Sequence, residues 1–354
     1  MASSTQTPPS QVVHFDSSNN ASNRRSQGST GRSKSWPARR HTPYTKTPKS
    51  RRLHGKTSKL ERTPVLPVGE AHSLKNLLNK TWHVYQVTPL NNFQQTTAAL
   101  RKYSKHLSAA LQAESQKGIG VDLESEVGDR AIFNIYKGLV TSDDNTKAVE
   151  LTIKAKGQGR GVSARVICHA ILCSVGAERR HPIADRLTVL PVLMIKGTAT
   201  VTRYVVSWLQ THFDCHIKRM TFNPMALMWM VSMWAGVSTG VKSKPVELLY
   251  TFPSELEGLS RVSFTIEAAN AKNVWDSIHD GESADITSDE VSAFIKALEV
   301  HFFQHFKVHL SGLTLSRIGT PLVYIGSEGR LKILAESAVH GVLQHITELA
   351  MDNF

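Results

Sequence analysis

Three histidines, His301, His305 and His309, recur at every fourth position in the stretch HFFQHFKVHL. On an uninterrupted helix they would share one face, an arrangement in which imidazoles can hold a zinc ion. Zinc hydrolysis asks for more than spacing. A hydrolytic zinc helix carries a glutamate directly after its first histidine as general base, and here that position is Phe302. The run itself holds no Asp, Glu or Cys to complete a ligand set. Phe306, Val308 and Leu310 also alternate with Lys307, His309 and Ser311, and the alternation continues through Leu313 and Leu315. That is strand period. The helix should therefore stop near Phe306 and leave His309 off the shared face, with Phe302, Phe303 and Phe306 anchoring a helix-to-strand junction. A His-cluster metal hydrolase is kept as an alternative, which stoichiometric zinc in the purified protein would revive.

A second candidate is KGQGRGVSARV, with glycines at 157, 159 and 161. A phosphate-binding loop must lead from a strand into a helix, whose first amides receive the phosphate. Here LTIKAK before and VSARVICHAIL after both read as strands, so the glycines form a hairpin loop. What remains is charge: Lys154, Lys156, Arg160 and Arg165 flank the hairpin. Basic side chains so placed can grip backbone phosphates without reading bases. No Ser/His/Asp order, nucleophile elbow or paired-carboxylate motif stands out. No enzymatic activity, cofactor or small-molecule ligand is expected.

The elements that would position these residues begin near Ser73. TWHVYQV reads as a strand. FQQTTAALRKYSKHLSAALQAESQKG reads as a long amphipathic helix with Leu100, Tyr103, Leu107 and Leu111 inward and Gly118 closing it. Strands follow around residues 119–123, 131–136, 148–156 and 162–175. VTRYVVSWLQTHF is a helix. A Met- and Trp-rich helix, taken as core, starts after FNP with Pro224 in its first turn. VELLYTF and RVSFTIEA are strands and ANAKNVWDSIH is a short helix. TSDEVSAFIKALEVHFFQHF is opened by a Thr287…Glu290 capping box. Three further strands, FKVHLSGLTLSRI, PLVYIG and RLKIL, precede a final helix over 338–351. Helices and strands do not alternate one for one, so the class is α+β with mainly antiparallel sheets flanked by helices. The organisation expected is a tail over 1–69, an N-terminal part over 70–240 and a C-terminal part over 241–354.

The net charge of +13 is unevenly placed. Residues 1–70 hold 13 of the 42 Lys/Arg and only 3 of the 29 Asp/Glu, which leaves the remainder near balance. The tail is rich in Ser, Thr, Pro and Arg and poor in large apolar side chains, so it should be disordered. It suits nuclear import or contact with a polyanion, nucleic acid first. Its Thr-Pro steps at Thr42, Thr47 and Thr63 are candidate phosphosites, where a phosphate would cancel more than one positive charge. Cys168, Cys173 and Cys215 are too few and wrongly spaced for a disulfide framework or zinc knuckle, which fits a reducing compartment. The most apolar run, MALMWMVSMWAGV, is shorter than the ~20 residues that span a bilayer. No membrane partner is expected.

In TPLVYIGSEGRLKIL, Leu322 and Tyr324 should point one way and Val323 and Ile325 the other, making both faces of the C-terminal sheet apolar. The last helix can cover only one. The other should need a partner, with strand addition at an open edge as one route. Leu313, Leu315, Ile318 and Leu322 are the candidate contact residues, together with Tyr324, Leu331 and Ile333.

Taken together, TWHVYQVTPL, SWLQTHFDC with LMWMVSMWAG after it, AKNVWDSIH, HFFQHFKVHL and LKIL…GVLQHITELA resemble the vertebrate centromere protein L family. The blocks run in order from about residue 70 to the C-terminus. The resemblance implies a saddle-like α+β body and no enzymatic activity. It implies pairing through the C-terminal region with centromere protein N, and a place in the inner kinetochore beside centromere protein C and the H–I–K–M group. It also implies enclosure of linker DNA next to the centromeric nucleosome, in the nucleus. An autonomous DNA-binding protein without sequence specificity is the alternative reading.

Overall fold

The structure is a computed structural model that describes residues 74–116, 130–139, 146–155, 164–176, 186–237, 244–253, 260–279 and 286–352. The tail, the glycine loop, the expected strand over 119–123 and the expected boundary near residue 240 lie outside these residues. Thirteen strands and six helices among the described residues give the α+β class. The strands are β1 (Trp82–Val87), β2 (Leu90–Asn91), β3 (Arg130–Ile135), β4 (Val149–Ala155), β5 (Arg165–Cys173), β6 (Leu187–Thr188) and β7 (Val192–Gly197). The remainder are β8 (Ile217–Arg219), β9 (Val246–Thr251), β10 (Arg261–Ile266), β11 (Thr314–Gly319), β12 (Val323–Gly326) and β13 (Arg330–Ile333). The helices are α1 (Thr97–Gln116), α2 (Ala199–Phe213), α3 (Pro224–Ala235), α4 (Ala268–Asp276), α5 (Ser288–Phe306) and α6 (Val339–Asp352).

Eleven strands form one sheet in the order β10-β9-β11-β12-β13-β1-β7-β5-β4-β3, with β8 also on β1, and β2 pairs β6 separately. Every pairing is antiparallel. β1 lies at the centre. β7 takes one of its edges, while β13 and β8 divide the other. β7 was not foreseen as a strand. Val192 and Met194 enter one core and Leu193 and Ile195 the other. A strand buried on both faces is a plain apolar run and shows no alternation to read.

The register shows which face is roofed. One row runs Phe133–Leu151–Ala170–Ile195–His83–Arg330–Gly326–Arg317–Leu249–Ser263. Its first four members are buried beneath α1 and α2, in a core with Leu107, Leu111, Val205 and Leu209. From His83 onward it is mostly polar, with Leu249 as its one large apolar member. On the opposite face, the row Trp82–Leu331–Ile325–Ile318–Leu248–Phe264 is buried with the inward residues of α3 to α6, among them Met230, Trp275, Phe294 and Ile346. Helices thus cover opposite faces at the two ends of one sheet.

Local sequence sets the helix ends. Asn223 accepts a hydrogen bond from Ala226 N–H and Pro224 occupies the first turn of α3. The capping box of α5 is present: the Thr287 hydroxyl accepts from Glu290 N–H, and the Glu290 carboxylate accepts from Thr287 N–H. Lys307 ends α5 in the left-handed conformation, φ 56°, its N–H bonded to Phe303 O. The helix therefore stops at Phe306 as the sequence suggests, but the strand does not start there. β11 begins only at Thr314. Phe306 is 63% exposed, so it does not anchor the junction. Phe302 and Leu310 do so, both buried.

Candidate nucleic-acid and partner interfaces

On the roofless face near β3, side chains of β4, β5 and β7 lie in one row, Thr152–His169–Lys196. Arg130 and Lys154 stand directly opposite each other on β3 and β4. Like charges paired across two strands destabilise them by a few tenths to about 1 kcal/mol unless a counter-charge intervenes. Lys80 joins this group from the turn before β1. That turn is fixed by Trp82, whose buried indole N–H donates to Leu77 O at 3.1 Å. Burial lowers the Lys80 pKa, and the neighbouring Lys196 lowers it further against the opposing pull of Glu150. Glu150 is engaged with His169 at 2.6 Å, and the His169 ring packs 5.1 Å from Trp82. Lys80 and Lys196 thus lie near a carboxylate that already has a partner, and Arg130 and Lys154 add a second cation pair farther along the same face. Such a surface can hold phosphates at non-specific positions.

Of the basic residues expected to act together, Lys154 belongs to this face. Arg165 is exposed but sits one residue beyond the Lys154–Val166 pair, opposite Ala155, and so on the other face. Lys156 and Arg160 lie outside the described residues, as do Thr42, Thr47 and Thr63. Lys80, Arg130 and Lys196 were missed because they come from distant segments and share one face only through the order of strands in the sheet.

At the other end of the sheet the roofless face holds a groove of about 670 Å³ bordered by Arg261, Arg317, Tyr324, Arg330 and Lys332. Tyr324 pairs across to Gly319 and Lys332. A Cβ on Gly319 would lie 2.3 Å from Tyr324 Cε1, so the glycine gives the ring its seat. Arg317 is bonded to Glu247 at 2.7 Å. At the rim, an Arg219 Nη donates to His83 Nδ1 at 2.8 Å, which leaves the His83 proton on Nε2. Burial, then Arg219 and Arg330, hold the His83 pKa below the usual histidine range against the pull of Glu328. Burial first, and then the two guanidinium groups, therefore favour the neutral imidazole.

The expectation of two apolar faces on the C-terminal sheet is corrected here. Val323, Ile325, Leu331 and Ile333 share the roofed face, while Tyr324, Lys332 and Arg317 occupy the other. Leu322 lies before β12 in a turn closed by the Thr320 hydroxyl, and so falls outside the strand alternation. Of the seven contact candidates, Leu315, Ile318, Leu322, Leu331 and Ile333 are buried beneath the chain's own helices, and Leu313 is partly buried against that core. Tyr324 alone is half-buried on the open side.

The histidine run is divided as the helix end dictates. His301 and His305 rings lie 4.5 Å apart, and His305 Nδ1 is bonded to the His301 carbonyl. His309 stacks on Phe303 at 4.1 Å. Among the described residues, no group of three or more His, Cys, Asp or Glu is placed to hold a metal ion. The three cysteines are buried, and burial pushes the Cys168 and Cys173 thiols up to about 12, which makes them poor nucleophiles. No described helix is long and apolar enough to cross a membrane.

Residues 76–351 match the family model described as Centromere protein L. Centromere protein L of Xenopus tropicalis is 31% identical over 321 residues, 89% of each chain. That of Gallus gallus is 32% identical over 278 residues, 78% of this chain and 80% of its own. The Homo sapiens protein is 31% identical over the same length, with the same coverage. On this match over most of its length, the chain belongs to the centromere protein L family and is a centromere protein.

Proposed function

We propose that the chain is a non-catalytic structural subunit of the inner kinetochore that joins a protein partner to centromeric DNA. One observation carries this reading: a single sheet has its two ends roofed on opposite faces, which leaves a cation-rich face at one end and a Tyr- and Arg-lined groove at the other. The first suits duplex phosphates and carries no base-reading element. The second has the residue types enriched where proteins bind one another. Centromere protein N is the partner proposed for it, through the C-terminal part over 241–354, with residues 70–240 as the N-terminal part of the body. Centromere protein C, the H–I–K–M group and linker DNA beside the centromeric nucleosome complete the assembly. The basic tail over 1–69 would serve nuclear import, with Thr42, Thr47 and Thr63 as its points of regulation.

The test is co-expression with centromere protein N followed by sizing. Tyr324→Asp should abolish the heterodimer and leave the melting temperature of the chain nearly unchanged. Co-elution of that variant with the partner at wild-type yield removes the groove from the interface. A lone chain that sizes as a monomer and binds duplex DNA as tightly as the complex would instead favour an autonomous DNA-binding protein.

A further inference from the structure

Strands β3, β4, β5 and β7 carry a single carboxylate, Glu150, and it stands on the cationic face. It pairs across with Asn134 of β3 and Ile171 of β5, two residues before Thr152 and so on the same side of the sheet. Its bonded partner is a histidine. His169 Nε2 donates to Glu150 Oε1 at 2.6 Å, and the two side chains are 13% and 26% exposed. The imidazole is braced in turn, its ring 5.1 Å from that of Trp82, whose indole is tied to Leu77 O. The carboxylate is thus a held charge, fixed by a chain of contacts that ends in the buried turn before β1.

Lys80 lies within electrostatic reach of both Glu150 and Lys196: the first favours its charge and the second opposes it. Arg130 and Lys154 lie farther along the face. An ammonium beside a fixed carboxylate is already partly compensated. A phosphate that approaches it must compete with that carboxylate and come close to a like charge, so part of the attraction is lost. The two ends of the cationic face should therefore differ. The Arg130–Lys154 end offers its full charge to a phosphate, and the Lys80–Lys196 end does not.

We infer that Glu150 is an internal counter-ion that competes with phosphate for Lys80 and Lys196 and so limits the affinity of this face for duplex DNA. The inference rests on the reading of this face as the duplex site, and adds the residue that tempers it. While no duplex is bound, Glu150 offsets the repulsion between the two lysines. When one arrives, phosphate takes over that role at Lys80 and Lys196, and Glu150 stays where His169 holds it. A face so tempered releases duplex readily on its own.

The test uses the full chain and a short fluorescent duplex of mixed sequence, read by anisotropy over a salt series. Glu150→Gln keeps the shape of the side chain and removes its charge. It should tighten binding about threefold at low salt and steepen the slope of log affinity against log salt by about 1. A change in packing alone would leave that slope where it was. The gain should be lost when Lys80→Gln and Lys196→Gln are also present, and should persist with Arg130→Gln and Lys154→Gln. Unchanged or weaker binding by folded Glu150→Gln overturns the inference and leaves the duplex reading standing. A gain that survives loss of Lys80 and Lys196 overturns it as well. If Lys80→Gln with Lys196→Gln leaves the affinity of the otherwise wild-type chain unchanged, the duplex reading of this end of the face fails and the inference falls with it. Should Glu150→Gln not fold, Glu150→Thr, a residue suited to a strand, takes its place with the same expected outcomes.

Discussion

At the β3–β4 end, helices α1 and α2 cover the face that bears Phe133, Leu151 and Ala170, whereas at the β9–β12 end helices α3 to α6 cover the reverse face, bearing Leu248, Ile318 and Ile325. The two ends use the same device, an antiparallel sheet with one dry and one wet face, in opposite senses. The wet faces differ in kind. The first carries Lys80 and Lys196 near an already engaged Glu150, with Arg130 and Lys154 paired farther along the same face. The second balances Arg317 against Glu247 and seats a tyrosine ring on Gly319. A surface with unbalanced cations favours a polyanion. One with paired charges and a buried-edge aromatic favours a folded partner.

The largest effect should come from placing charge on the wrong side of this division. Ile318→Asp buries a carboxylate beneath α3 and α5 and should cost about 4 kcal/mol or more, unfolding much of the protein at room temperature. Denaturant titration beside Tyr324→Asp separates the two faces, and a well-folded Ile318→Asp would break the assignment. Next in size, Lys80→Glu with Lys154→Glu and Lys196→Glu should lower duplex affinity and reduce the slope of log affinity against log salt by about 2 to 3. The same charge reversal at Arg317 and Lys332 should move that slope much less. Equal slopes would mean that the cationic face has no special claim on DNA.

A smaller change tests the roof of the second end. Thr287→Ala removes the α5 cap and should cost about 1 kcal/mol, read as a lower denaturation midpoint at constant slope. The smallest effect concerns pH. Burial pushes the His345 pKa, and that of His212 together with His106 and Lys102, below the ordinary value of 6.5. The unfolded chain takes up these protons more readily, so stability is full above about pH 6.5 and declines as pH falls through it toward the folded values. Replacing His345, packed edge-on against Trp234, with Asn should flatten the acid limb more than replacing His212 at its exposed rim. The reverse order would show that the two roofs are hydrated differently from their side-chain packing.

Much of the fold was legible because it is local. The capping box at Thr287, Pro224 opening α3, the stop at Phe306 and the apolar stripe of α6 each rest on contacts within a few residues. The strands with one wet face were legible for the same reason. β7 was not, because both of its faces are dry and an apolar run carries no phase. The segment after Phe306 misled in the opposite way. Its alternation is real in sequence, but a left-handed Lys307 turns the chain outward and exposes Phe306 and Val308.

The sequence by itself determined the class, the helix ends and the uneven charge, since these depend on residue type and spacing along one segment. Which apolar strand residues face a roof and which cations become neighbours was decided only in three dimensions. Register between strands far apart in the chain places Arg130 opposite Lys154, Lys196 beside His169, and Leu331 with Ile325 on the covered side of the sheet. A strand's period of two tells that its faces differ. Only the elements packed against it determine which face meets water.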